Sequence, residues 1–185
     1  MRTTLKRVGT IAICLASAFG SIGYAAQEDT EKRVVTTDQL AAEIQENTRY
    51  LASQSLAKAK SLLEAYGDFA PFGAVLFPSG KVKYVWAVKP GEETEGVNPV
   101  LVLNSVRRAL KSQADEGRIL GSAVVYRFLP DGKLDQSQIN VELEYLTGFA
   151  QVLGTQYEET EDGYEFSEGA FKPYEPVIFT AEKDE

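Results

Sequence analysis

The chain has 185 residues, 27 acidic against 19 basic, a net charge of −8, one cysteine and no histidine. That inventory excludes Ser-His-Asp and Cys-His nucleophilic devices, a histidine general base near neutral pH, and zinc or copper sites built from imidazole. The negative surplus keeps a protein dispersed and repels nucleic acid and anionic lipid headgroups, so neither is an expected partner.

Read from the start, the chain opens with the features of an export signal. Arg2, Lys6 and Arg7 are basic, Val8 to Ile22 carries no charge, and Gly23-Tyr24-Ala25 puts small residues at the −3 and −1 positions of a cleavage site. The expectation is a signal peptide over residues 1–25, cut at Ala25–Ala26, and a periplasmic or secreted mature protein with no membrane anchor. The apolar stretch is shorter than the roughly 20 residues of a membrane span. Cys14 lies mid-run behind Ile13, where a lipidated cysteine needs a small residue, so lipidation is rejected. Cleavage would remove the only cysteine and leave roughly 160 residues, the size of one domain held by apolar burial.

Residues 26–36 read as a flexible leader. Thr36-Thr37-Asp38-Gln39 has the form of a capping box, and Leu40, Ile44, Leu51, Leu56, Ala59, Leu62, Leu63 and Tyr66 keep helical period as far as Gly67. A helix from about 38 to 66 would be roughly 40 Å long, wider than the domain, so it either breaks near Asn47-Thr48 or projects its first half. Phe72–Phe77 and Val82–Val88 form a hairpin around Pro78-Ser79-Gly80. An acidic loop, residues 90–96, precedes Asn98-Pro99, the cap and first turn of a second helix with Val102, Val106, Ala109 and Leu110 on one face and Gly117 at its end. Leu120–Leu129 reads as a strand closed by Pro130-Asp131-Gly132. Ile139, Val141, Leu143 and Tyr145 alternate with Asn140, Glu142 and Glu144 in a half-buried strand. Thr147-Gly148 then turns the chain into Phe149–Tyr157, followed by an edge strand, Tyr164–Phe171, and a short extended segment, Val177–Thr180. Residues 181–185 are an acidic tail.

The fold class expected over residues 37–180 is a single α+β domain in α-β-β-α-β-β-β order. It has one antiparallel sheet, a long N-terminal helix and one crossing helix, with helices packed on a face. This order resembles the profilin-like folds, which include roadblock modules and Cache sensors. Tyr66-Gly67-Asp68-Phe69-Ala70-Pro71-Phe72-Gly73-Ala74-Val75-Leu76 resembles the opening of a family of uncharacterised bacterial exported proteins. That resemblance implies no activity and supplies no catalytic residue.

Carboxylates are the chemistry that remains. Glu142 and Glu144 share one strand face about 7 Å apart, a spacing at which paired carboxylates hydrolyse glycosides if burial raises one pKa. Alternation with apolar residues instead marks a solvent face. Glu158, Glu159, Glu161 and Asp162 lack the register of a calcium loop and read as a solvated turn, as do Glu92, Glu93 and Glu95. Ser105, Lys111 and Ser112 form no S-x-x-K motif. Phe69, Pro71, Phe72 and Gly73 read as the seat of the first helix on the first strand, with a binding lip as the alternative. No catalytic, cofactor or metal residue is assigned.

With a two-residue turn at Thr147-Gly148, Leu146 pairs with Phe149, Glu144 with Gln151 and Glu142 with Leu153. Tyr145, Leu143, Val141, Ala150 and Val152 then face the core, and Leu146, Phe149 and Leu153 lie beside the glutamates as the candidate interaction surface. Their cover is the chain itself, a homodimer mate or a protein partner. The function expected is a non-catalytic extracytoplasmic binding or interaction module without cofactor. The alternatives are a carboxylate-dependent hydrolase of an envelope polysaccharide and an enzyme-inhibitor or immunity-type protein.

Overall fold

Helix α1 (Thr37–Tyr66) starts where the capping box places it. The Thr36 hydroxyl accepts the Gln39 amide at 3.2 Å, and the Gln39 side chain accepts the Thr36 amide at 3.0 Å. It stops at Gly67, whose φ of 71° lets its amide return to the Leu63 carbonyl at 2.8 Å. The structure is a computed structural model that describes residues 36–93, 95–129 and 137–180. The expected signal peptide, the leader before Thr36, the Pro130-Asp131-Gly132 turn and the acidic tail lie outside the described residues. Of the two outcomes for the long helix, projection wins. α1 runs through Asn47-Thr48 unbroken, no residue of 37–47 is buried, and burial begins at Thr48 and Leu51.

A hairpin of β1 (Phe72–Leu76) and β2 (Val82–Trp86) follows, then α2 (Pro99–Asp115), β3 (Gly121–Phe128), β4 (Gln138–Tyr145), β5 (Ala150–Thr160), β6 (Gly163–Phe166) and β7 (Ala170–Pro173). All pairings are antiparallel, in the order β2-β1-β3-β4-β5-β6, with β7 also on β5. The fold is α+β, with one antiparallel sheet of seven strands, a long N-terminal helix and a crossing helix. β6 and β7 are two parts of one edge. Tyr157 opposes Phe166 and Leu153 opposes Phe171, so the edge carries one residue more than β5 between those points, a bulge at residues 167–169. Gly169 is needed there, since a Cβ would lie 2.6 Å from Leu153 Cδ1. The expected edge strand over Tyr164–Phe171 is thus present but broken. Val177–Thr180 is a bend, not an extended segment.

The two helices take opposite faces of the sheet, not one. Phe72, Ala74, Leu76, Ala123, Val125, Ile139, Val141 and Leu143 pack with Leu51, Ala59, Leu62 and Leu63 of α1. Val75 and Val124, which alternate with them, pack with Val106 and Leu110 of α2 and with Ile178 near the C-terminus. Val102, Val106 and Leu110 are buried in α2 as the periodicity predicts, while Ala109 is exposed. Gly73 faces α2: a Cβ there would lie 3.1 Å from both Val106 Cγ1 and Leu110 Cδ1, so the absent side chain sets how closely this helix seats.

The β4–β5 turn differs from the expected one by a residue. The Tyr145 amide donates to the Phe149 carbonyl at 2.9 Å, the Gly148 amide donates to the Tyr145 carbonyl at 2.9 Å, and Gly148 has φ 81°. This is a three-residue loop with glycine in the left-handed position. A two-residue loop needs positive φ at both central residues or glycine at the first, and Thr147 meets neither condition. Glu144 therefore opposes Ala150 and Glu142 opposes Val152. The slip exchanges the faces of β5: Phe149 and Leu153 turn toward α1, and Ala150 and Val152 join the glutamates.

Candidate functional site

Gln138, Asn140, Glu142 and Glu144 put a row of polar side chains on the α2 face of β4. The alternation suggested solvent, yet Glu142 is 4% and Glu144 1% exposed. α2 covers β1, β2 and β3, and residues 174–179 cross the glutamates themselves. Burying a carboxylate is tolerable only when its oxygens are filled. Glu142 meets that requirement with side chains from three elements. Arg107 of α2 donates from Nη2 to both oxygens at 2.7 and 2.8 Å, Tyr126 of β3 donates its hydroxyl at 2.9 Å, and Tyr174 donates from beyond β7 at 3.1 Å.

Glu144 is filled by backbone. The amides of Val177, Ile178 and Phe179 donate to its carboxylate at 2.9, 2.8 and 2.9 Å. Three successive amides aimed at one anion form a concave cradle. Preceded by Pro173 and Pro176, this stretch lies off the β-ladder, and Glu144 supplies the acceptors its amides lack.

The surroundings shift the partner groups. Burial, then the Glu142 charge and its hydrogen bond, push Tyr126 up to about 12. Tyr174 rises for the same reasons, burial first. Burial alone would lower Arg107, but the hydrogen bond and charge of Glu142 outweigh it and the guanidinium is raised. Both phenols are thus held neutral as donors and Arg107 charged. Every oxygen of the pair faces an internal donor, an arrangement suited to fastening the C-terminal segment.

The candidate interaction residues are separated by the structure. Leu146 stands 50% exposed in the turn, Phe149 is half-buried against the α1-side core, and Leu153 is 6% exposed within that core. Phe149 and Leu153 lie on the other face from the glutamates, and Leu146 borders the Ile178–Phe179 stretch that Glu144 holds. Phe149 instead lines an open groove of about 780 Å³ beneath the first half of α1, with Ala41, Ile44, Gln45 and Phe171; Phe171 is 47% exposed.

Other candidates are occupied locally. Ser105 donates to the Leu101 carbonyl at 2.9 Å, Ser112 donates to Glu116 at 3.2 Å and Lys111 pairs with Asp115 at 2.9 Å, so no Ser/Lys device forms. Glu92 caps the Lys89 amide at 2.9 Å, and Glu158, Glu159, Glu161 and Asp162 stand exposed around the β5–β6 turn. Among the described residues no group of acidic side chains is gathered to hold a metal ion. Phe69 and Phe72 meet edge to face at 5.7 Å, and Phe72 stacks on Trp86 at 4.8 Å, so this cluster seats the hairpin against α1. Asp68 pairs with Arg127 at 2.6 Å and ties the same corner to β3.

Sequence reasoning missed Arg107, Tyr126, Tyr174 and the amides of residues 177–179. One signal was available: four alternating polar residues on an internal strand, with a proline-flanked tail still to be placed. No protein-family model matches the chain, and the searches against curated proteins and solved structures return no match.

Proposed function

We propose that this protein is a non-catalytic extracytoplasmic interaction module that engages a protein partner through the projecting half of α1 and the adjoining sheet edge. The observation that carries this reading is the open groove between Ala41, Ile44 and Gln45 of α1 and Phe149 and Phe171 of the sheet. An exposed apolar concavity bordered by a free helix face is the form in which soluble proteins present contact surfaces. The hydrolase reading is weaker, because Glu142 and Glu144 spend their oxygens on internal donors. An inhibitor or immunity protein would be one kind of protein-binding module and uses the same surface.

The test is affinity capture from envelope extract with Ala41→Glu/Phe171→Glu beside the wild type. Loss of a captured protein, with melting unchanged within about 0.5 kcal/mol as for surface substitutions, supports the reading. Equal capture by both proteins refutes it.

A further inference from the structure

The opposite side of the molecule carries a second concavity, between the outer stripe of α2 and the C-terminal segment. It has a volume of about 680 Å³ and is lined by Leu101, Asn104, Arg107, Arg108, Lys111 and Val177. The size falls in the range of small-ligand sites. On a chain of net charge −8, this groove gathers three cations and no acidic side chain in its lining.

Each cation has donors to spare. Arg107 grips Glu142 through Nη2 alone, and its Nη1 makes no hydrogen bond among the described residues. Glu142 holds this guanidinium at the groove wall. Arg108 makes no ion pair among the described residues and touches only the Ser105 hydroxyl, at 3.4 Å. Lys111 contacts Asp115 at 2.9 Å and the Thr180 hydroxyl at 3.4 Å, exposed contacts that an incoming anion replaces at little cost. Beside the cations the lining holds two polar residues, Asn104 and Ser105, and two exposed apolar ones, Leu101 at 65% and Val177 at 43%.

We propose that this groove binds a small dissolved amphiphile, an oxyanion head of phosphate or carboxylate type on a short apolar chain. The head lies among Arg107, Arg108 and Lys111, where charge-assisted hydrogen bonds are strongest, and the chain lies over Leu101 and Val177. A bilayer is the other source of such chemistry, and the overall negative charge opposes approach to an anionic one. Val177 is held by Glu144, so the groove keeps its second wall only while the C-terminal segment is fastened.

The probes are hexyl phosphate, inorganic phosphate, hexanol and phosphatidylglycerol vesicles, titrated calorimetrically into the whole protein. Saturable binding of hexyl phosphate is expected, at least about fivefold tighter than inorganic phosphate, with no binding of hexanol. Arg108→Gln/Lys111→Gln changes one exposed and one half-buried position on the outer side of α2, breaks only exposed contacts, and should melt like the wild type while weakening hexyl phosphate about tenfold or more. Ala41→Glu/Phe171→Glu, on the other face, should bind it normally, which separates this proposal from the protein-partner reading. No saturation by hexyl phosphate below roughly 10 mM would overturn the proposal. So would equal affinity in Arg108→Gln/Lys111→Gln, or binding to vesicles alone.

Discussion

Replacing Glu144 with glutamine tests the most specific arrangement in the structure. One carboxylate oxygen accepts Val177 N–H, and the other accepts those of Ile178 and Phe179. Glutamine keeps one acceptor and turns the other atom into a donor. At best its oxygen serves Ile178 and Phe179 as a neutral acceptor while its NH₂ faces the Val177 amide. Hydrogen bonds to a charged group contribute roughly 1.5–3 kcal/mol each, but three sharing one carboxylate are not additive. Losing one and the charge assistance on two gives a cost of about 2–4 kcal/mol. For a domain of this size that lowers the melting temperature by roughly 5–12 °C. Ile178, fully buried beside Val106 and Leu110, is the side chain released when the segment lifts. Urea unfolding gives the energy, and hydrogen exchange at amides 177–179 gives the location. Wild-type stability with wild-type protection of those amides would refute the idea that Glu144 fastens the C-terminal segment.

Further outcomes follow from single features. Leu153→Glu is expected to unfold the domain and Leu146→Glu to be tolerated within about 0.5 kcal/mol, because the first is core and the second lies in the turn; circular dichroism melts decide it, and the reverse ranking would restore the two-residue turn. Burial, then the charge and hydrogen bond of Glu142, push Tyr126 up to about 12 in the fold from the ordinary 10 of an unfolded chain, so the neutral phenol favours the folded state. That contribution is complete below pH 10 and is lost as pH rises toward 12. Absorbance at 295 nm should show late-titrating phenols, one of which is lost in Tyr126→Phe while that of Tyr174 remains; an unchanged titration curve would count against the assignment. Gly73→Ala should cost about 1–3 kcal/mol by pressing on Val106 and Leu110, and an unchanged urea midpoint would mean that α2 retreats freely.

Local chemistry made much of this fold legible in advance. The capping box at Thr36, the glycine stop at Gly67, the Asn98-Pro99 start of α2 and the alternation along β4 each depend on neighbours within a few residues, and each element stands where that chemistry puts it. The turn after β4 was equally local. Thr147 disfavours the two-residue geometry, and reading that constraint would have placed Leu153 in the core.

The state of Glu142 and Glu144 was beyond any local reading. An alternating strand shows that two faces differ, and it marks the polar one as solvent only if nothing else covers it. Here the cover consists of Arg107 from thirty-five residues upstream and a segment more than thirty residues downstream. Composition and spacing determined the excluded chemistries, the element order and the apolar stripes. Tertiary structure alone decided which polar residues are buried, because a carboxylate enters the interior only where distant donors converge on its oxygens.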